Sequence, residues 1–424
     1  MKPHIIATFR EGSVVPALLH WSDLIENKPQ GADRFIGPVN RIMDAARTPF
    51  WVGSEFRPAS ATGWSPAELA AGLDRTVRII LQRAGRIPRG LIENLQVLPQ
   101  IVSVRPGYVS VARMPQPFSR SPVPDQTSRD AVFLHKAHRI TTGDPSVRIA
   151  VLDTGVDIDH PEFTRIHAPR DEVNILDGHD RFIGDLLDAD AAPEDDVGHG
   201  THVAGIALGA GRRMPTGVAP DCTLIPVRVL AAMERDGERY GAGLVDNINQ
   251  GVKWAIDNGA DVINMSLGVR HEGGGLPHAD VIRYAREKGV TVVAASGNDG
   301  RNALYYPGAL PGVITVGAMA RDGGVAGFST YNRRVQLIAP GEDVYSSYRD
   351  DGYAYATGTS HAAPFVAGAV ALLKSFARGL TDGQVKYLLK QTADRLDHRF
   401  QHPKAGYGRL NIIDALRLAR AKTA

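Results

Sequence analysis

The sequence predicts an α/β protein with a mostly parallel sheet flanked by helices, preceded by a small α+β unit. Three observations carry this. From about residue 131 onward, short apolar runs alternate with helical segments of the length that βαβ crossovers need. One run, residues 290–295, is apolar nearly throughout, as in a strand buried on both faces. Before this region the composition shifts: Pro115, Pro117, Pro122 and Pro124 lie among Ser, Gln and Arg, which reads as an extended linker over residues 114–130 and a domain boundary.

In chain order, residues 1–113 form the α+β unit. Residues 5–9 read as a strand. Ser65-Pro66-Ala67-Glu68 is a helix start, with a serine cap, proline at the first position and an acid in the first turn. Leu69, Leu73, Val77, Ile80 and Leu81 follow at helical spacing, which carries this predicted helix through Leu81. Residues 90–98 read as a second short helix. Residues 102–104 and 108–111 alternate like strands on either side of a Pro106-Gly107 turn. The second domain, residues 131–424, begins with a strand at 147–152 and a helix at 201–208. A strand at 223–230 precedes an amphipathic helix at 245–258 that ends at Gly259. Then come a strand at 261–266, a helix at 279–288 stopped by Gly289, and strands at 290–295, 313–316 and 335–338. An apolar helix runs on from Pro364.

Composition narrows the function class. Hydrophobic residues make up 43% and charged residues 22%, ordinary for a globular protein. A net charge of +2 gives no argument for nucleic acid or an anionic surface. A single cysteine, Cys222, excludes an intrachain disulfide and a cysteine-based metal cluster, and reads as a small buried hydrophobe. No apolar stretch is long enough to predict a membrane span, and the first residues lack a secretory h-region, so the expected location is cytoplasmic.

The chain is organised around Gly358-Thr359-Ser360-His361-Ala362-Ala363-Pro364, which opens the apolar helix. Alone, Thr359 or Ser360 would read as an N-cap. A serine at this place also suits a nucleophile, because unsatisfied N–H groups and the helix dipole favour a developing oxyanion. Serine needs a base, and histidine oriented by a buried carboxylate supplies one. Two upstream stretches fit. Asp153 ends the strand at 147–152, within Asp153-Thr154-Gly155. His199 opens a helix within Gly198-His199-Gly200-Thr201-His202. Taken separately, Asp153 could cap a strand or bind a metal. His199 and His202 could form a metal pair, but no third ligand stretch accompanies them. His202 reads as a hydrogen-bonded core histidine.

With Gly217-Val218-Ala219-Pro220, Asn264-Met265-Ser266-Leu267-Gly268, Ser296-Gly297-Asn298 and Gly406-Tyr407-Gly408, these motifs resemble the subtilisin-like serine proteases, or subtilases, over about residues 131–420. The resemblance implies a subtilisin-like three-layer fold and a serine endopeptidase acting on protein or peptide substrates. It implies Ser360 as nucleophile, His199 as base, Asp153 as orienting acid and Asn298 as oxyanion donor. Ser266, Leu267 and Gly268 would bind substrate as an added strand, and Tyr305 would lie near the floor of the primary specificity pocket. His361 stands where the family usually has methionine and adds a titratable group beside Ser360, with a second pH inflection expected from it. Residues 209–216 replace the family's calcium-binding loop with two arginines and no carboxylate, so no cofactor is expected and calcium at this loop is unsupported.

The N-terminal unit resembles a subtilase prodomain in placement. It is expected to act as an intramolecular inhibitor, with residues 111–114 against Ser266, Leu267 and Gly268. Pro115 and Pro117 would slow self-cleavage after Met114 and leave release to cuts near Arg120 or Arg129. Two further readings are a protease whose retained N-terminal domain docks a partner protein, and a non-catalytic binding module of the same fold.

Overall fold

The strand Arg148–Asp153 sorts its side chains by parity: Ile149 and Val151 enter one apolar core, Ala150 and Leu152 another. A strand buried on both faces needs cover on both. The computed structural model describes residues 3–26, 31–83, 85–113, 124–166, 173–174, 194–235, 238–271 and 273–423. In it, seven strands lie in the order Val335–Pro340, Ile314–Met319, Thr291–Ala295, Val262–Met265, Arg148–Asp153, Thr223–Arg228 and Val173–Asn174, with every neighbouring pair parallel. Helices His199–Leu208, Thr359–Phe376 and Ile412–Thr423 cover one face. Helices Val245–Asp257 and Ala279–Glu287 cover the other. The result is the three-layer α/β architecture that the sequence predicts. The helix Val245–Asp257 stops at Gly259 and the helix Ala279–Glu287 at Gly289, each glycine in the left-handed region.

The N-terminal unit is an antiparallel sheet ordered Phe50–Ser54, Thr76–Leu81, His4–Phe9 and Ile101–Pro106. Parity again explains its burial. Ile5, Ala7 and Phe9 pack with Val77, Ile79 and Leu81 into the unit's own core, against helices Gly37–Ala45 and Leu91–Gln96. The alternate residues His4, Thr8, Arg78 and Arg105 are buried as well. They face the two helices that cover the second face of the large sheet, as their partners below show.

Three local expectations are corrected. The Ser65 helix forms with its full capping box, worth about 1 kcal/mol, but it spans only Pro66–Ala71. Gly72 takes the left-handed conformation at φ 81, and the β-branched run Thr76–Leu81 continues as a strand, since its apolar spacing suits either period. The strands Ile101–Pro106 and Val109–Arg113 do not form a hairpin. The first pairs with His4–Phe9, while the second leaves that sheet and pairs with Glu238–Leu244. Of the expected linker, Met114, Pro115, Pro117, Arg120 and Pro122 lie outside the described residues. Its end is structured: Thr127–Asp130 is a helical turn, and buried Arg129 donates to the Tyr345 carbonyl at 3.0 Å and lies over the Phe365 ring. Arg129 is therefore unsuited as a cleavage point. No described helix is long and apolar enough to cross a membrane.

Candidate active site

The C-terminal ends of three adjacent strands, Thr291–Ala295, Val262–Met265 and Arg148–Asp153, deliver Asn298, Ser266 and Asp153 to one edge of the sheet, where such folds gather functional residues. Asp153 and His199 are fully buried, and His199 Nδ1 lies 2.6 Å from Asp153 Oδ1, which also accepts the Thr154 N–H at 2.8 Å. The helix can start here because its first residues are glycine-flanked. A Cβ on Gly200 would sit 2.0 Å from the Gly155 carbonyl oxygen. Burial pushes the His199 imidazole down, but the charge of Asp153 and the hydrogen bond to it prevail, so the net shift is upward. Among the described residues His199 Nε2 has no hydrogen-bond partner.

Sequence reasoning missed the group that joins these two residues. Buried Asp195 accepts from the Thr154 hydroxyl, from the N–H groups of Val197, Gly198 and Thr201, and from the Thr201 hydroxyl, at 2.7–3.1 Å. Thr154 Oγ in turn accepts the Gly200 N–H at 3.0 Å. One carboxylate thus ties the end of the Asp153 strand to the start of the His199 helix. The available signal was an acid four residues before His199 with Thr201 after it, a capping arrangement hidden in an acidic run.

Ser360 is the second residue of its helix, after Gly358 at φ 152. Pro364 lies inside the same helix and lacks an N–H, so the Ser360 carbonyl loses its usual i+4 donor. Ser266 Oγ supplies the missing bond at 2.7 Å, and Ser360 Oγ donates to the Ser266 carbonyl at 3.0 Å. Ser360 is half-buried, and its hydroxyl engages Ser266 in this rotamer. Asn298 is fixed by its own oxygen: Oδ1 accepts the Thr359 N–H at 2.8 Å and the Thr359 hydroxyl at 2.9 Å. The Nδ2 group is thereby free to donate into the groove, beside the Ser360 N–H at the helix N-terminus. Asn298→Ala should lower kcat about 10²–10³-fold with KM unchanged, because a preorganised donor acts mainly on the transition state. A large rise in KM at constant kcat would assign Asn298 to ground-state binding instead.

His361 contradicts one expectation. It is fully buried, with its ring 5.5 Å from that of His199 and 4.6 Å from that of His202. Burial, with the neighbouring His202 and His199, holds its imidazole well below the ordinary histidine value. It stays neutral where His199 titrates, so no second inflection in that range arises from it. His202 Nε2 lies 3.0 Å from the carbonyls of both Val344 and Ala354, and burial pushes its pKa down to about 3. It is a core histidine, as expected. Cys222 is buried as expected.

A groove of about 760 Å³ contains Ser360, Asn298, Ser266, Leu267, Gly268 and Tyr305. The strand Val109–Arg113 borders it. The segment's ladder differs from the expected one: Ser110 lies opposite Gly243, Ala112 opposite Gly241 and Arg113 opposite Tyr240. Its link to the wall at residues 266–268 is a side-chain bond, Ser110 Oγ to the Gly268 carbonyl at 3.2 Å. Gly241 and Gly243 leave no room for a side chain on their inner face, where a Cβ would sit 2.4 Å from the Thr154 side chain and 2.2 Å from the Val229 carbonyl oxygen, a feature the sequence reading passed over.

The loop at 209–216 binds itself. The N–H groups of Gly211, Arg212 and Arg213 converge on buried Glu162 at 2.6, 3.0 and 2.8 Å. Donors aimed inward suit a carboxylate and do not fit a calcium ion, which wants oxygen ligands. Among the described residues no group of three or more His, Cys, Asp or Glu side chains could hold a metal ion.

A thermophilic serine proteinase from Bacillus sp. (strain AK1) is 37% identical over 279 residues, 65% of this chain and 63% of that protein. Thermitase from Thermoactinomyces vulgaris is 35% identical over 251 residues, 59% of this chain and 81% of that protein. The solved structure of the prenylagaramide maturation protease PagA superposes with a TM-score of 0.55 at 30% identity, covering 68% of this chain and 98% of that one. The match to the thermophilic proteinase spans less than two thirds of that relative's length. The profile of the subtilase family matches residues 144–408, which contain Asp153, His199, Asn298 and Ser360 in order, and the chain belongs to that family.

Proposed function

We propose that this chain is a serine endopeptidase whose own N-terminal domain occupies its substrate groove. The observation that carries the enzymatic reading is the buried Asp153–His199 pair, with Nε2 unengaged, at the sheet edge that also presents Ser360 and Asn298. Ser360 Oγ would turn from the Ser266 carbonyl and attack the scissile carbonyl while His199 Nε2 takes its proton. Asn298 Nδ2 and the Ser360 N–H would hold the resulting oxyanion. His199 then returns the proton to the leaving amine, and water hydrolyses the acyl-enzyme by the same base. A non-catalytic module would have no use for this arrangement, and a serine-directed fluorophosphonate separates the two readings.

Two contacts support inhibition by the N-terminal domain. Val109, Val111 and Ala112 line the groove that holds Ser360, on a strand paired with Glu238–Leu244. Behind it lies a buried ionic interface. Asp246, in the first turn of its helix, takes His4 at 2.6 Å and Arg105 at 2.5 Å; Glu68 takes Lys253 at 2.8 Å; Thr8 donates to Asp280 at 3.3 Å. Glu55, paired with Arg78, receives Gln250 Nε2 on its carbonyl at 2.5 Å. The neighbouring Arg105 and His4 hold the Asp246 carboxyl far below its usual range despite burial, which alone would raise it. Removing one partner from such a cluster costs about 3 kcal/mol or more, roughly a hundredfold in a docking equilibrium. Arg105→Ala should therefore raise peptide turnover by the full-length chain at low substrate concentration by a large factor, through a lower apparent KM, with kcat at saturation near its wild-type value, because the docked domain and the peptide compete for one groove. Unchanged turnover, with intact mass showing an uncut chain, would favour the second reading, a retained domain that docks a partner without closing the site.

A further inference from the structure

Tyr305 stands between the two walls of the groove. Its Cβ and Cδ1 lie 3.5 Å from where a Cβ on Gly268 would be. Its Cδ2 and Cε2 lie 2.7 and 2.9 Å from the corresponding point on Gly297. Gly268 ends one wall, after Ser266 and Leu267, and Gly297 precedes Asn298 on the other, so the ring spans the space beside Ser360. A side chain on Gly297 would meet the ring at a distance no packed pair tolerates, and φ there is 106. The ring is also held at its far end. Tyr305 pairs with Arg270 in a short antiparallel ladder, and its hydroxyl donates to Asp299 Oδ2 at 2.9 Å. Asp299 is anchored in turn, by Arg301 at 3.2 and 3.3 Å through its carboxylate and by the Thr330 hydroxyl at 2.8 Å through its N–H.

We propose that Tyr305, positioned by Asp299, fills the pocket for the substrate side chain whose carbonyl Ser360 attacks, so that the enzyme takes peptides with Gly, Ala or Ser at that position. The proposal rests on the protease reading above. A large aromatic or branched side chain would have to displace the ring and break its bond to Asp299.

The experiment mixes two peptides, identical except for Ala or Phe at the attacked residue, with the full-length chain in one tube. The ratio of their cleavage rates equals the ratio of their kcat/KM values and does not depend on how much enzyme is active, so inhibition by the N-terminal domain cannot distort it. Wild type should favour Ala by at least about tenfold. Tyr305→Gly should move the ratio toward Phe by about a hundredfold, with Tyr305→Ala as the second variant should the glycine chain not fold. Asp299→Ala should move it about tenfold the same way, as one lost hydrogen bond allows. Tyr305→Phe with Asp299 intact should keep the Ala preference, since the ring remains. A wild-type preference for Phe, or a ratio that none of these variants moves, overturns the proposal. Absence of any Ser360-dependent cleavage overturns the protease reading itself, and this proposal with it.

Discussion

Ser360→Ala and His199→Ala are each expected to lower kcat by about 10⁶-fold, the size that removing either of these members has in subtilisin, with little change in peptide binding. The reason is structural. Ser360 is held at a helix N-terminus by a reciprocal pair of bonds with Ser266, and alanine there leaves the Ser266–Ser360 carbonyl bond in place. The scaffold stays and only the nucleophile goes. The double variant should be no worse than either single one, since nucleophile and base act as a unit. Single-turnover cleavage of a peptide mixture checks this. A Ser360→Ala enzyme keeping more than a few per cent of the wild-type rate would remove Ser360 from the mechanism.

Asp153→Asn should cost about 10⁴-fold in kcat near neutral pH. Asp153 Oδ1 now accepts the His199 Nδ1–H and so leaves Nε2 as the basic nitrogen. An amide can present its N–H instead and stabilise the wrong tautomer. The pH profile carries a second signature. In the proposed mechanism His199 works as the neutral base, so kcat/KM should rise with pH through its pKa. In wild type that pKa lies above the ordinary histidine value, because Asp153 outweighs burial. Without the negative charge of Asp153, burial, which lowers the pKa of a cation, is opposed only by the smaller pull of Asp195. The rising limb should therefore move to lower pH as the rate falls. A limb that stays in place would mean that Asp153 does not set the charge state of the base.

The residues proposed to react stood out in the sequence because each sits where a strand ends or a helix begins, marked by glycines that the geometry requires. Gly200 cannot carry a side chain against the Gly155 carbonyl, and Gly358 takes a conformation that side chains disfavour. The large sheet was legible because strands buried on both faces are apolar at most positions. The N-terminal unit was less so. Thr76–Leu81 has apolar residues at spacings that satisfy a helix as well as a strand, and only Gly72 marked the break. Asp195 was hidden because an acid in an acidic run gives no sign of burial. The partners of His4, Arg105 and Glu68 lie more than a hundred residues away in sequence, and no local pattern encodes such pairs. His361 looked titratable from its neighbours in the chain, whereas its neighbours in space keep it neutral.

The most direct test of the central claim is intact-mass analysis after exposure of the full-length chain to a small serine-directed fluorophosphonate. Wild type should gain the mass of one adduct, mapped by peptide digestion to Ser360. His199→Ala should label far more slowly, and Ser360→Ala should not label at all. An unlabelled wild type, or an adduct on any other residue, would contradict the assignment of Ser360 and His199 as nucleophile and base.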